Sequence, residues 1–208
     1  MAEKLAPYVI LEGGSMSGKT TQRKLLLPRL TLHRAWQEVR EPGGTIFGDE
    51  IRDAVQRHDR PEYVYPLAEF FAYSAARTQL IQQVVLPALR NGVGVLSDRS
   101  WFSSFAYQGQ TIAKDYIVMV STEATAWTLP DVVLYFDLLP ELAQERVKLK
   151  RDLDIHDLKG LDFHRRVRDN YLELGFRYPN FWRTIDASQS VEAVFADSLA
   201  VLSQAGIL

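Results

Sequence analysis

A glycine-rich stretch, EGGSMSGKTTQ at residues 12–22, has the residue types and spacing of a loop that binds phosphate groups. It matches the pattern G-x-x-x-x-G-K-[ST], in which Lys19 and Thr20 follow the second glycine. Glycines let successive backbone N–H groups turn toward phosphate oxygens, and the helix that follows presents its positive N-terminal end to the same anion. In this pattern the lysine reaches the β- and γ-phosphates, and the threonine hydroxyl can hold Mg²⁺. We therefore predict a site for a nucleoside triphosphate with Mg²⁺, lined by Gly13, Gly14, Ser15, Met16, Ser17, Gly18, Lys19, Thr20 and Thr21.

Strand-like and helix-like segments alternate along the chain. These segments form the framework that holds the glycine-rich loop in place. Short apolar runs predict strands at 7–12, 37–41, 93–97, 132–137 and 183–186. Helical patterns lie at about 18–34, 46–58, 64–90, 114–127, 140–150, 162–177 and 190–204. Such alternation predicts an α/β fold with a parallel sheet covered by helices on both faces, in which ligands bind at the carboxyl ends of the strands.

Composition narrows the class of protein further. The chain has 208 residues, a length that favours one α/β domain over residues 1–208. It contains no cysteine, which excludes disulfides, thiolate zinc sites and cysteine nucleophiles. The net charge of −2 provides no broad positive field, so we expect neither nucleic acid nor a membrane surface as partner. The apolar segment near the N-terminus is too short for a signal peptide or a membrane span, so we expect a cytoplasmic protein.

Two further strand ends carry residues suited to phosphate chemistry. In VREPGGT (39–45), Pro42 constrains the turn, and Thr45 can cap the next helix. VGVLSDRS (93–100) is an apolar strand that ends in Asp98 and Arg99. A carboxylate there suits the Mg²⁺ shell, and a guanidinium suits a second phosphate, if this strand neighbours the strand before the glycine-rich loop. A surface ion pair at the strand end is the alternative interpretation.

The long helix 64–90 carries an aromatic ring and a guanidinium four residues apart. A 4-3-4-3-4 spacing predicts a packing stripe of Leu67, Phe71, Ser74, Thr78, Ile81 and Val85. Tyr73 and Arg77 share a different face, where they could stack on a base and bond its edge. On spacing alone, a partly buried tyrosine beside a surface arginine is the favoured interpretation. The segment SSFAYQG (103–109) adds Ser104, Tyr107 and Gln108, which could read a pyrimidine edge.

Seven stretches, spread over nearly the whole chain, carry a family resemblance. A guanine-reading N-K-x-D motif is missing, which argues against switch GTPases. The stretches are, in chain order, EGGSMSGKTTQ, REPGGT, FAYSAARTQL, VLSDRSWFSSFAYQG, LPDVVLYFDLLPELAQER, DFHRRVRDNYLEL and TIDASQS. In this order and spacing they resemble the thymidylate kinase family. The resemblance implies a P-loop NTPase fold: three α/β/α layers around a five-stranded parallel sheet, with a helical lid at about 143–160. It also implies ATP-dependent phosphorylation of dTMP to dTDP, a step toward dTTP, usually in a homodimer.

The resemblance also implies residue roles. Tyr73 takes the place of the ring that stacks on thymine, and Arg77 reads the O4 edge with Ser104 and Gln108. Tyr107 lies against the sugar. Arg99 holds the acceptor phosphate, with Arg40 and Arg52 as secondary candidates, and the Glu41–Pro42 bond is expected to be cis. In the lid, Arg151 is the favoured catalytic residue and Arg146 is expected near adenine. The catalytic set is therefore Lys19, Arg99 and Arg151; the metal ligands are Thr20 and Asp98; the substrate residues are Glu41, Pro42, Arg52, Tyr73, Arg77, Arg99, Ser104, Tyr107 and Gln108.

Two positions depart from the family pattern. Ser15 stands where members usually carry an acidic residue that meets the sugar 3′-hydroxyl, and Met16 stands where some carry an arginine. Slow turnover or a shifted pyrimidine preference is therefore expected, with dUMP or a modified pyrimidine as a possible acceptor in place of dTMP. The residues also leave open a deoxynucleoside kinase with Glu41 as general base, and a nucleotide-binding regulator without turnover.

Overall fold

The computed structural model describes residues 6–57, 62–147 and 159–208, and five parallel strands form one sheet within them. The order is β2-β3-β1-β4-β5, so β1 lies at the centre between β3 and β4. The strand bounds are β1 Tyr8–Gly13, β2 Trp36–Arg40, β3 Gly94–Asp98, β4 Val132–Asp137 and β5 Trp182–Asp186. Every residue of β1 and β3 is buried, as expected for strands covered on both faces. The predicted five-stranded parallel sheet is confirmed.

Helices follow the strands in the described part of the chain. The bounds are α1 Lys19–Leu30, α2 Ile46–Gln56, α3 Pro66–Leu80, α4 Leu86–Arg90, α5 Trp101–Tyr107, α6 Lys114–Ala124, α7 Pro140–Val147, α8 Leu161–Arg177 and α9 Val191–Gln204. A π-helical turn, Ile81–Val85, joins α3 to α4. Thr45 caps α2 as predicted, since its hydroxyl accepts a hydrogen bond from the Gly48 N–H at 3.0 Å. No helix among the described residues is both long and apolar enough to cross a membrane.

The core has two layers, one on each side of the sheet, and β1 alternates between them. Tyr8 and Ile10 pack with α3, α5 and α8, whereas Val9 and Leu11 pack with α1 and α9. Since side chains alternate with period two along a strand, Glu12 points into the same layer as Tyr8 and Ile10. This places a carboxyl group inside the layer that contains α5 and α8.

The packing stripe predicted for the long helix is confirmed for Ser74, Ile81 and Val85, which are buried, and wrong for its other three residues. Leu67 and Phe71 are each 45% exposed, and Thr78 is exposed. The buried face of α3 instead comprises Phe70, Tyr73, Ser74, Ala76, Arg77 and Leu80. The three exposed residues come before the π-helical turn, so the turn does not explain them. Helical spacing gives the period of a stripe but does not fix which face meets the core, and the buried face of α3 is rotated from the predicted one.

Candidate active site

The glycine-rich loop joins β1 to α1 as predicted, and it requires glycine at two points. A Cβ on Gly13 would lie 2.6 Å from Ser17 Oγ and 2.8 Å from Phe136 O, so a side chain has no room there. Gly18 has φ +88°, a left-handed conformation that favours glycine. Lys19 Nζ donates hydrogen bonds to Gly13 O at 2.9 Å and to Gly14 O at 2.7 Å. The ammonium group is therefore held over the loop itself.

The end of β3 lies beside this loop because β3 pairs with β1. Leu11 pairs with Asp98, and the Arg99 N–H donates to Leu11 O at 2.9 Å. Arg99 Nη1 in turn donates to Gly13 O at 3.2 Å. The expectation that Asp98 and Arg99 emerge next to the loop is therefore confirmed. Arg99 has φ +74°, a left-handed backbone that a non-glycine residue adopts only when its surroundings hold it there.

Two open cavities meet at this edge of the sheet. The first, the loop cavity, contains about 1870 Å³ of empty space including open solvent, and the second, the side cavity, about 640 Å³. The loop cavity is lined by Ser15, Met16, Ser17, Gly18, Lys19, Thr20, Thr21, Asp98 and Arg146, among others. The side cavity is lined by every residue predicted for the substrate: Glu41, Pro42, Arg52, Tyr73, Arg77, Arg99, Ser104, Tyr107 and Gln108. Ser15, Glu41, Arg52 and Arg99 line both cavities and therefore mark their junction.

An ion pair between Glu41 and Arg77 organises the floor of the side cavity. Both side chains are 3% exposed, and Arg77 Nε donates to Glu41 Oε2 at 2.6 Å. Arg77 Nη2 also donates to Ser104 Oγ at 3.1 Å. The interpretation of Arg77 as a surface arginine is therefore wrong, because a buried carboxylate supplies its counter-ion. Glu41 Oε1 and Arg77 Nη1 are buried without a hydrogen-bond partner among the described residues, and so are candidates to bond a ligand.

The electrostatics of Glu41 reflect this burial. Loss of hydration raises the pKa of the Glu41 carboxyl, and the Arg77 guanidinium opposes that rise by its charge and its hydrogen bond. The turn that carries Glu41 contains a cis Glu41–Pro42 bond, as expected. Arg52 Nη1 donates to Pro42 O at 3.0 Å and thereby fastens this turn to α2.

The predicted lid lies only partly among the described residues. Residues 148–158, which include Arg151, are outside them. Arg146, on α7, donates from Nη1 to Met16 O and from Nη2 to Ala187 O, both at 3.1 Å. The guanidinium therefore spans the glycine-rich loop and the loop after β5, at the wall of the loop cavity.

The predicted metal ligands offer two oxygen donors to the loop cavity. The Thr20 hydroxyl is exposed, and the Asp98 carboxylate is buried with Arg23 Nη1 3.4 Å from its Oδ2. Within the described ranges, no group of three or more His, Asp or Glu side chains could hold a metal ion. Mg²⁺ commonly binds through one or two protein oxygens together with substrate phosphates and water, so the two donors fit it.

Glu12 is a buried residue of the site that no sequence motif identified. Glu12, the last charged residue of β1, contacts Ser100, Ser103 and Tyr171 directly beside Arg99. The signal available in the sequence was a single carboxylate in the otherwise apolar run VILEG. Tyr171 lies 159 residues away on α8, so only the fold brings them together.

The fold and the site together define a P-loop nucleotide kinase, and comparisons with known proteins identify its family. The family model described as "Thymidylate kinase" matches residues 11–197. A thymidylate kinase from Pelotomaculum thermopropionicum is 41% identical over 196 residues, which cover 92% of this chain and 90% of the relative. One from Deinococcus radiodurans is 36% identical over 202 residues, covering 96% and 97%. The chain therefore belongs to the thymidylate kinase family.

A solved structure supports the fold independently. The crystal structure of thymidylate kinase from Ehrlichia chaffeensis superposes with a TM-score of 0.77 at 24% sequence identity, covering 95% of this chain and 98% of that one. The predicted P-loop NTPase fold and the resemblance to the family are confirmed, and so is the prediction of a phosphotransferase. Of the two kinase interpretations, the comparisons favour thymidylate kinase over deoxynucleoside kinase.

Proposed function

We propose that this protein transfers the γ-phosphate of ATP to dTMP, giving dTDP and ADP, as a step toward dTTP. The observation that carries the proposal is the junction between the two cavities. ATP would occupy the loop cavity and dTMP the side cavity, so that their phosphates meet beside Lys19 and Arg99. Arg52, which also lines the junction, supplies a further cation for the acceptor phosphate.

The chemistry at that junction requires charge neutralisation and alignment. The attacking oxygen belongs to a phosphate that is already ionised at neutral pH, so no general base is needed. The obstacle is repulsion between two polyanions that must be held in line. Lys19 and Arg99 offset this repulsion together, since both donate to the carbonyl oxygen of Gly13 and therefore lie close to each other. Mg²⁺, held by Thr20 and Asp98, would supply further positive charge at the ATP phosphates.

The side cavity suits a pyrimidine. Tyr73 provides a ring for stacking. Arg77 Nη1, which has no hydrogen-bond partner in the described part of the chain, can donate to a carbonyl oxygen on the base edge. Ser104 and Gln108 line the same wall and complete the polar contacts, while Tyr107 lies beside Arg99, whose Cζ is 5.5 Å from the ring centroid. Glu41 is committed to its ion pair with Arg77, which disfavours the role of general base that a deoxynucleoside kinase would need.

Several finer features belong to the same proposal. Arg151 acts as the catalytic arginine of the lid, and Arg146 lies against the adenine. The protein works in the cytoplasm as a homodimer, without nucleic acid as partner. Exposed apolar side chains on the packed pair α2 and α3 support a dimer contact there. They are Ile46, Phe47, Leu67 and Phe71.

ADP release across a panel of acceptors tests the function. The panel contains dTMP, dUMP, thymidine and buffer alone, each with ATP and Mg²⁺. We expect dTMP to give the highest kcat/KM, and thymidine to give none above the buffer rate. Turnover with thymidine but not dTMP would support the deoxynucleoside kinase. Tight ATP binding with no acceptor-dependent release would support the regulator.

A further inference from the structure

The buried carboxylate of Glu12 is surrounded by donors. Ser100 donates to Oε1 twice, from its backbone N–H at 2.8 Å and from its hydroxyl at 3.1 Å. Ser103 Oγ donates to Oε2 at 2.8 Å, and Tyr171 OH donates to Oε2 at 2.9 Å. The side chain is fully buried. A buried carboxylate is tolerated when its oxygens are bonded in this way.

The two hydroxyl groups on Oε2 also contact Arg99. Arg99 Nη1 lies 3.0 Å from Ser103 Oγ and 3.3 Å from Tyr171 OH. No hydrogen bond joins Glu12 and Arg99 directly, although both are among the described residues. The carboxylate therefore reaches the guanidinium through one serine and one tyrosine.

This arrangement gives each hydroxyl proton an ionised acceptor. Each hydroxyl has one hydrogen, which it gives to Glu12 Oε2, and its lone pairs then accept from Arg99 Nη1. Burial raises the pKa of Glu12, while Arg99 and the two hydroxyls oppose the rise because they stabilise the ionised form. Ser103 Oγ and Tyr171 OH are also 3.0 Å apart, so either could donate to the other. The acceptor at Oε2 allows both hydroxyls to present lone pairs to the cation at the same time.

The same carboxylate also holds the backbone next to Arg99. The Ser100 N–H that bonds Glu12 belongs to the peptide bond that follows Arg99. Arg99 is in the left-handed conformation, which needs support from its surroundings. Glu12 therefore supports Arg99 at two points: the backbone that follows it and, through the two hydroxyls, its guanidinium.

We propose that Glu12, acting through Ser103 and Tyr171, is a positioning residue that holds Arg99 in the orientation required to bind the acceptor phosphate. The proposal rests on the proposed function, in which Arg99 holds that phosphate. Glu12 and Tyr171 line neither cavity, so their effect on turnover passes through Arg99.

Three variants interrupt the connection at different points. Tyr171→Phe and Ser103→Ala each remove one hydroxyl. Glu12→Gln keeps the shape but places an amide N–H₂ where Oε2 accepted, so that the hydroxyl protons must turn toward the guanidinium. Tyr135→Phe is the matched control: its buried ring stacks on Tyr171 with centroids 5.0 Å apart, but its hydroxyl bonds Asp137 at 3.0 Å.

The measurements are kcat/KM for dTMP, the dissociation constants of dTMP and ATP, and urea unfolding. We expect Tyr171→Phe and Ser103→Ala each to lower kcat/KM about tenfold and to weaken dTMP binding, since each removes a hydrogen bond to a charged group. We expect a larger loss for Glu12→Gln. ATP affinity should stay within about twofold of wild type in all variants, because none of the three substituted residues lines the loop cavity.

A double-mutant cycle separates positioning from a general structural effect. In the Arg99→Ala background, Tyr171→Phe should not weaken dTMP binding further, because the residue through which it acts is gone. The inference is overturned if Tyr171→Phe matches Tyr135→Phe in kcat/KM, or if its effect on dTMP binding persists without Arg99. If the wild-type protein shows no dTMP-dependent turnover, the proposed function itself is contradicted. If the wild type turns over dTMP but Tyr171→Phe behaves like Tyr135→Phe, only the positioning role of Glu12 is contradicted.

Discussion

Arg77 Nε lies 2.6 Å from Glu41 Oε2, and this buried ion pair joins α3 to the turn after β2. It fixes one wall of the side cavity and leaves one nitrogen of the guanidinium and one oxygen of the carboxylate without a partner among the described residues. A polar surface of this kind, built before any ligand binds, can select a base by its hydrogen bonds. The pair also contributes to the free energy of unfolding, so the stability of the protein depends in part on residues of the site.

Breaking this pair should destabilise the protein. Arg77→Met leaves the Glu41 carboxylate buried without its counter-ion, and we expect a loss of about 3–5 kcal/mol in the free energy of unfolding. Adding Glu41→Gln should recover most of that loss without restoring activity toward dTMP. Urea unfolding and ADP release measure the two effects. Equal stability of wild type and Arg77→Met would contradict the pairing, and Arg165→Met, in an exposed pair with Glu141, is the control.

Removing the lysine of the glycine-rich loop should abolish phosphoryl transfer. Lys19 Nζ is held over the loop by Gly13 O and Gly14 O, where it meets the donor phosphates. We expect Lys19→Ala to lower kcat by at least about 10²-fold, by analogy with the loss of one preorganised donor from a transition-state site. Circular dichroism should show a folded protein. Lys24→Ala removes an exposed lysine of the same helix and should leave kcat unchanged. Near wild-type turnover of Lys19→Ala would refute its catalytic role.

Ser15 should govern discrimination at the sugar of the acceptor. It lies at the junction of the two cavities and supplies a hydroxyl where the family usually carries a carboxylate. We expect Ser15→Asp to raise kcat/KM for dTMP relative to 3′-deoxy-dTMP, because a carboxylate accepts a stronger hydrogen bond from the 3′-hydroxyl. Ser15→Ala is the control and should lower the same ratio. If Ser15→Asp leaves the ratio unchanged, Ser15 does not meet the 3′-hydroxyl.

Glu69 should make stability depend on pH. Burial raises the pKa of Glu69, whereas the hydrogen bond from Gln108 Nε2 and the charge of Lys159 oppose the rise. The folded state therefore holds the proton more tightly than the unfolded chain, so this contribution is complete at low pH and is lost as pH rises through the raised pKa. Glu69→Gln should consequently gain stability relative to wild type as pH rises above the ordinary pKa of a glutamate.

Urea unfolding at several pH values measures this difference. Glu50→Gln, which removes an exposed carboxylate from α2, is the matched control. A gain that is constant with pH, or that shrinks toward alkaline pH, would show that the carboxyl of Glu69 is not the group responsible.

Local signals in the sequence predicted the frame of the site. The glycine spacing fixed the loop around Lys19, and the apolar run before Asp98 and Arg99 predicted a buried strand that could neighbour β1. The short helix α5 escaped prediction because seven residues give too little periodicity to detect, although Ser100 caps it.

Long-range partners could not be read from the sequence. Arg77 looked exposed because its counter-ion, Glu41, lies 36 residues away and follows a different element. Glu12 looked like an isolated charge in β1, since Tyr171 contributes its hydroxyl only after α8 packs on the sheet. In both cases the tertiary fold, rather than local propensity, decides whether a charged residue is buried and what it does.

The most direct test of the proposed function is a product analysis of purified protein incubated with ATP, Mg²⁺ and dTMP. We expect one dTDP for each ADP formed, and no ADP above background when thymidine replaces dTMP or when Lys19→Ala replaces wild type. Formation of dTMP from thymidine, or ADP release that does not depend on dTMP, would contradict the proposal.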